Sequence, residues 1–232
     1  MRLTCLLLLA CCLAQAAHAV RVIKPTADEL AIDHTAEKWK RPDFCGKMDC
    51  PRFTTKEHTD NWDVREYDAA KWVVTNVTGS KFEIAYTKGV SKLLKYFKGT
   101  NDKEEKMDIT TPTLAEVKLS KQGGESKDKD YSFSLWLPEQ FQTDTPQPTD
   151  SDVKVVDFPK TTVYVRVFGG FATEGTVMTE TRSLQDMLDE DGRDYGEDVA
   201  WAAVYDPPQK LLRRHNEIHV PYAAKKSVVQ DS

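Results

Sequence analysis

Residues 62–97, WDVREYDAAKWVVTNVTGSKFEIAYTKGVSKLLKYF, decide the architecture. Trp62–Tyr67 and Lys71–Val77 are short runs rich in β-branched and aromatic residues, separated by Asp68-Ala69-Ala70, and they predict two strands. The period then changes. Phe82, Tyr86, Gly89, Leu93 and Phe97 recur at helical spacing with Ala85 and Tyr96 beside them, so Lys81–Phe97 predicts a helix with a core-facing stripe. Gly99-Thr100-Asn101-Asp102 supplies its stop. Met107–Val117, interrupted by Pro112, adds a further strand and completes a β-β-helix-β unit.

The unit recurs downstream. Val153–Phe158 and Thr162–Phe168 repeat the paired β runs, and Thr179–Asp191 repeats the helix with Leu184, Met187 and Leu188 on one face, ended by Gly192. Val199–Tyr205 is a strand broken by Pro207-Pro208, and Ile218 and Val220 belong to the last one. Between the copies lie a polar loop (122–130), a strand over Tyr131–Leu137 closed by Pro138, and a Pro-containing connector (142–152). Two copies, at about 61–120 and 150–222, indicate an internal duplication. The expected fold is α+β: two pseudo-symmetric β-α-β-type repeats forming a distorted antiparallel or mixed barrel with two packed helices. With no linker between the copies, residues 61–222 are expected to form one domain, followed by a flexible tail at 223–232.

Upstream, the texture differs. Arg2, an apolar run from Leu3 to Leu13 broken only by Thr4, and Ala17-His18-Ala19 before Val20 predict a secretory signal peptide over 1–19. The run is too short for a transmembrane helix, and no later segment reaches the necessary length. The expected product is soluble and secreted, with an irregular arm over 20–60 that includes an amphipathic stretch at Glu29–Trp39. Cys5, Cys11 and Cys12 lie in the signal, leaving Cys45 and Cys50. In an oxidising compartment that pair predicts a disulfide, with a metal site as the alternative. Asn76-Val77-Thr78 is a glycosylation sequon. The chain carries a net charge of −5 without a basic cluster, which argues against nucleic-acid binding.

Catalytic signatures are scarce. The chain has no Gly-x-Ser-x-Gly, no His-Glu-x-x-His and no phosphate-cradling glycine loop, so a binding protein is expected in place of an enzyme. Five ordered segments carry a resemblance: 66–73 (EYDAAKWV), 95–103 (KYFKGTNDK) leading to Thr111-Pro112, 135–142 (LWLPEQFQ), 162–171 (TVYVRVFGGF), and 205–218 from Tyr205-Asp206-Pro207-Pro208 to Ile218. In that order and spacing the chain, from about Trp62 to Val220, resembles the SOUL haem-binding family.

The resemblance implies haem or a related tetrapyrrole as a bound ligand with no reaction performed on it. It also implies a shallow apolar groove between the first helix and a loop near the C-terminus. Carried onto this sequence, it nominates Val90, Leu94 and Lys95 on the helix, Tyr131 on a strand, and Lys210 on the loop. A porphyrin needs flat apolar contact for its ring and cations for its propionates, which Lys95 and Lys210 would supply. His34, His58, His215 and His219 follow the signal, and His215 and His219 are the candidate axial ligands. Where one branch of the family has a proposed histidine ligand, this chain has Glu66, which favours stacking and propionate pairing over axial coordination. The expected function is a secreted tetrapyrrole carrier or scavenger. A secreted interaction module without ligand binding is the alternative, and a small-molecule hydrolase is a third class.

Overall fold

The computed structural model describes residues 39–79, 81–119 and 130–223. The signal segment, residues 20–38 of the arm with His34 and all of the Glu29–Trp39 stretch but Trp39, nearly all of the polar 122–130 loop, and the tail beyond 223 lie outside the described residues. Two helices pack on a curled nine-stranded sheet, so the fold is the expected α+β, barrel-like class, with the sheet curled into a half-barrel. Every pairing in the sheet is antiparallel.

The strands are β1 (Phe53–His58), β2 (Asp63–Tyr67), β3 (Ala70–Thr78), β4 (Thr113–Lys118), β5 (Asp130–Trp136), β6 (Val153–Phe158), β7 (Thr161–Phe168), β8 (Val199–Val204) and β9 (Asn216–Pro221). The helices are α1 (Phe82–Phe97) and α2 (Glu174–Glu190). The sheet runs β1-β2-β7-β9-β8-β4-β5-β3-β6. Without the edge strand β1, this order is a palindrome about the β4·β8 pair. It equates β2-β3-α1-β4-β5 with β6-β7-α2-β8-β9, so each copy carries four strands, and Tyr131–Leu137 belongs to the first copy.

The copies are interlocked. β2 leads into β3 through two residues yet pairs with β7, and β6 leads into β7 through two residues yet pairs with β3. Each half lends its first strand to the other. That exchange is why the sequence shows no linker: neither half closes its sheet alone.

Both helices cover one face. Val73, Thr75 and Val77 of β3, Phe133 and Leu135 of β5, Ala115 and Ala202 at the centre, and Ile218 and Val220 of β9 point toward them, as period-two alternation dictates. α1 packs on β3 and β5, and α2 on β7 and β9. Phe82, Ala85, Gly89, Leu93, Tyr96 and Phe97 form the buried stripe of α1, as the spacing predicts. At its centre Gly89 lies directly on Phe133, where an added Cβ would sit 2.3 Å from the ring.

Three elements differ from the sequence expectation. α2 begins at Glu174 and not Thr179, because the Thr173 hydroxyl accepts from the Thr176 amide and caps the extra turn despite Gly175. Residues 107–112 are irregular, and strand β4 starts only after the cis Thr111–Pro112 bond. β1 forms inside the segment expected to be irregular. It is a polar edge strand paired only with β2, so it has no apolar alternation to betray it.

Candidate functional site

One flank of α1 is left partly open. Tyr86, Val90 and Leu94 are half-buried, beside the fully buried stripe. Burial pushes the Tyr86 phenol up, while the Thr113 hydroxyl and the Arg214 charge pull it the other way, so the end of the β8–β9 loop lies within electrostatic reach of this flank. On that loop Leu211 is 70% exposed and Leu212 81% exposed, and Phe171, after β7, is also exposed. Two adjacent leucines left in water on an ordered loop form an apolar strip of the kind that marks a binding surface.

One buried side chain ties much of the loop together. The buried Arg214 guanidinium donates to the carbonyls of Asp206 (2.7 Å), Pro207 (2.7 Å), Lys210 (2.8 Å) and Gly170 (3.1 Å), and it lies 4.6 Å from the centre of the Phe171 ring. Asn216 Nδ2 adds a second donor to Gly170. A charged planar fork suits this task because it satisfies several orphan carbonyls at fixed angles. Sequence reasoning passed over Arg214. Its only signal was a basic residue between the exposed leucines and an otherwise buried strand.

The nominated residues separate into two sets. Val90 and Leu94 lie on the flank just described, and Lys210 lies on the loop, exposed, with its Nζ 2.8 Å from Asp206 Oδ1. Partial burial pushes the Asp206 carboxyl up, but the Lys210 ammonium and the His215 amide hold it below the usual range. Lys95 is exposed, about 100° round the helix from Leu94 and pointing away from the flank. Lys98, one turn beyond Leu94, is exposed on the nearer side. Tyr131 is buried beneath α1, 5.4 Å from the Phe82 ring centre, and its hydroxyl donates to Glu174 Oε1 at the start of α2.

His215 and His219 belong to a different place. They lie toward the sheet face away from the helices, where Glu217 is fully buried between them. His215 Nε2 is 2.8 Å from Glu217 Oε1, and His219 Nε2 is 2.9 Å from Oε2. Arg65 Nη1 donates to Oε1 (2.8 Å) and the Tyr205 hydroxyl to Oε2 (2.9 Å). Burial alone would raise the Glu217 pKa, but the two histidine hydrogen bonds and the Arg65 charge hold it well below the ordinary value. The Phe44 ring stacks on His215 at 4.3 Å and covers the cluster. Phe44 comes from the turn clipped by the Cys45–Cys50 disulfide, which the structure contains as expected. Among the described residues no group of three or more His, Cys, Asp or Glu side chains is placed to hold a metal ion. Glu66, at the family's proposed histidine position, pairs with Lys160 (2.8 Å) and Lys56 (3.0 Å). Asn76 is exposed on β3, in a shallow groove of about 610 Å³ on the sheet face away from α1.

These features define a duplicated half-barrel with its helices on one face and a pair of exposed leucines on the β8–β9 loop. The family profile described as SOUL heme-binding protein matches residues 48–221, and the chain belongs to that family. It is 33% identical over 196 residues to a human protein named Heme-binding protein 2, covering 84% of this chain and 90% of that one. It is 34% identical over 154 residues to Heme-binding protein 1 of Xenopus laevis, covering 66% and 80%. Among solved structures, the EcmrR C-terminal domain shares the fold, with a TM-score of 0.52 at 12% identity over 69% of this chain and 95% of that domain.

Proposed function

We propose that this protein is a secreted carrier or scavenger of haem and related tetrapyrroles, bound between the α1 flank and the β8–β9 loop. Family membership supplies the ligand class. The observation that carries the site is the Leu211–Leu212 pair, exposed on a loop that Arg214 fixes within reach of α1.

A tetrapyrrole there meets apolar surface from Val90, Leu94, Leu211 and Leu212. The Lys210 ammonium is available for a propionate, since its exposed pair with Asp206 is weak and easily exchanged. Lys98 is a better second cation than Lys95, because it lies nearer the Leu94 side of the helix. The chain's histidines near the C-terminus are committed to Glu217, so the ring is held by stacking and propionate pairing. Residues 1–19 and the oxidised Cys45–Cys50 pair support export. Asn76 is exposed, as a glycan acceptor needs to be.

Titrating the mature protein with haem and with zinc protoporphyrin, by absorbance and tryptophan quenching, tests this. Saturable binding of both, weakened by Leu212→Asp and by Lys210→Ala, is the expected result. Similar affinity for the two metals fits a ring without an axial histidine. If neither tetrapyrrole saturates, the carrier assignment fails and the exposed leucines become a protein-docking surface. Amino-terminal sequencing of protein recovered from culture medium should begin at Val20, and retention inside cells would refute export.

A further inference from the structure

On the sheet face opposite the helices a pocket of about 350 Å³ opens where the two halves meet. Its walls include four aromatic side chains: Tyr67, Trp72, Phe158 and Trp201. Trp72 and Phe158 stack with ring centres 5.3 Å apart. Glu116 stands opposite Trp201 across the β4·β8 pair, and the indole Nε1 donates to Glu116 Oε2 at 3.0 Å. Asp68 is the second carboxylate, exposed at the rim within electrostatic reach of Lys160, and among the described residues the pocket lining includes no lysine or arginine. At the inner end Tyr67 and His219 meet the Glu217 cluster, and the Tyr67 hydroxyl is buried without a hydrogen bond of normal geometry among the described residues.

This chemistry differs from that of the α1 groove. A tetrapyrrole carries carboxylates, which Glu116 and Asp68 would repel. Aromatic faces beside two carboxylates attract a positive charge, through the ring quadrupoles and by Coulomb attraction. The volume is near the lower end of the range for small-ligand sites, so it fits a compact molecule. We propose that the pocket is a second ligand site, for a small organic cation with an aromatic or quaternary ammonium group. It stands on the other side of the sheet from the α1 groove, so the two sites bind independently.

The test uses benzyltrimethylammonium as the cation and benzenesulfonate as an anion of similar size. Each is titrated into the mature protein while tryptophan fluorescence and the Trp201 indole N–H resonance are followed. The cation should saturate and move that resonance, and benzenesulfonate should do neither. Glu116→Gln, nearly isosteric, should weaken the cation about tenfold, whereas Leu212→Asp and Lys210→Ala should leave it unchanged. A cation that leaves the Trp201 signal unmoved would overturn the proposal. So would equal affinity for the two probes, or for the Glu116→Gln variant and the parent. Tyr67→Phe, which removes only the hydroxyl, provides a folded second variant to separate a lost pocket from a lost charge.

Discussion

Replacing Glu217 with Gln tests the account of the buried cluster most directly. The two carboxylate oxygens accept from four groups: Arg65, His215, His219 and Tyr205. A glutamine keeps one accepting oxygen and sets an amide donor against the other two donors. It also leaves the Arg65 guanidinium, whose side chain is 6% exposed, without its buried counter-charge. Breaking one partner from a buried pair costs about 3–5 kcal/mol. Arg65 keeps Asp63 at 2.7 Å, so the lower end, about 3 kcal/mol, is expected. In a domain of this size that lowers Tm by roughly 6–12 °C. The pH dependence follows from the depressed carboxyl. Its stabilisation is complete above the ordinary glutamate value of 4.5 and is lost as pH falls through the lower folded value. Urea unfolding measured from pH 7 down to pH 3 should therefore show parent stability falling below about pH 4.5, with a shallower fall in the variant. A loss under about 1 kcal/mol at pH 7, at unchanged m, would refute the claim that a charged, four-donor carboxylate stands at this position.

Other expectations follow from the same structure. Gly89→Ala raises helix propensity by about 1 kcal/mol but drives a methyl to 2.3 Å from the Phe133 ring, so a net loss of about 1–2 kcal/mol is expected in thermal unfolding. A more stable variant would contradict the α1–β5 contact. Arg214→Ala removes a donor from four carbonyls at once and leaves those of Asp206 and Lys210 without the guanidinium, and it should raise hydrogen exchange over 206–214 and weaken haem at least tenfold while leaving most of the Tm intact. Unchanged exchange there would show that the loop holds itself. Reducing Cys45–Cys50 releases a loop of five-residue separation, worth about 2 kcal/mol by chain entropy, and should expose His215 to solvent, read as a shift of its ring resonances. A His215 signal insensitive to reductant would remove the disulfide turn as its cover.

Local patterning along the chain is enough for the elements and their duplication. Period-two runs at 62–77 and 153–168, and the helical stripe from Phe82 to Phe97, follow from side-chain direction alone. So does the division of Ile218 and Val220 from His219 onto opposite faces of β9. The Cys45–Cys50 pair was legible because Cys5, Cys11 and Cys12 fall in the expected signal and leave these two alone. The exchange of β2 and β6 was decided only by tertiary structure, because a two-residue link reads the same whether it closes a hairpin or crosses to the other half. Tyr131 and Lys95 illustrate the same limit at the site: spacing assigns each to an element, but only packing shows one beneath α1 and the other turned to solvent. Glu217, Arg65 and Arg214 look like ordinary surface charges along the chain. Their burial depends on what the opposite half and the disulfide turn lay over them, and that long-range covering leaves no periodic mark in the residues it covers.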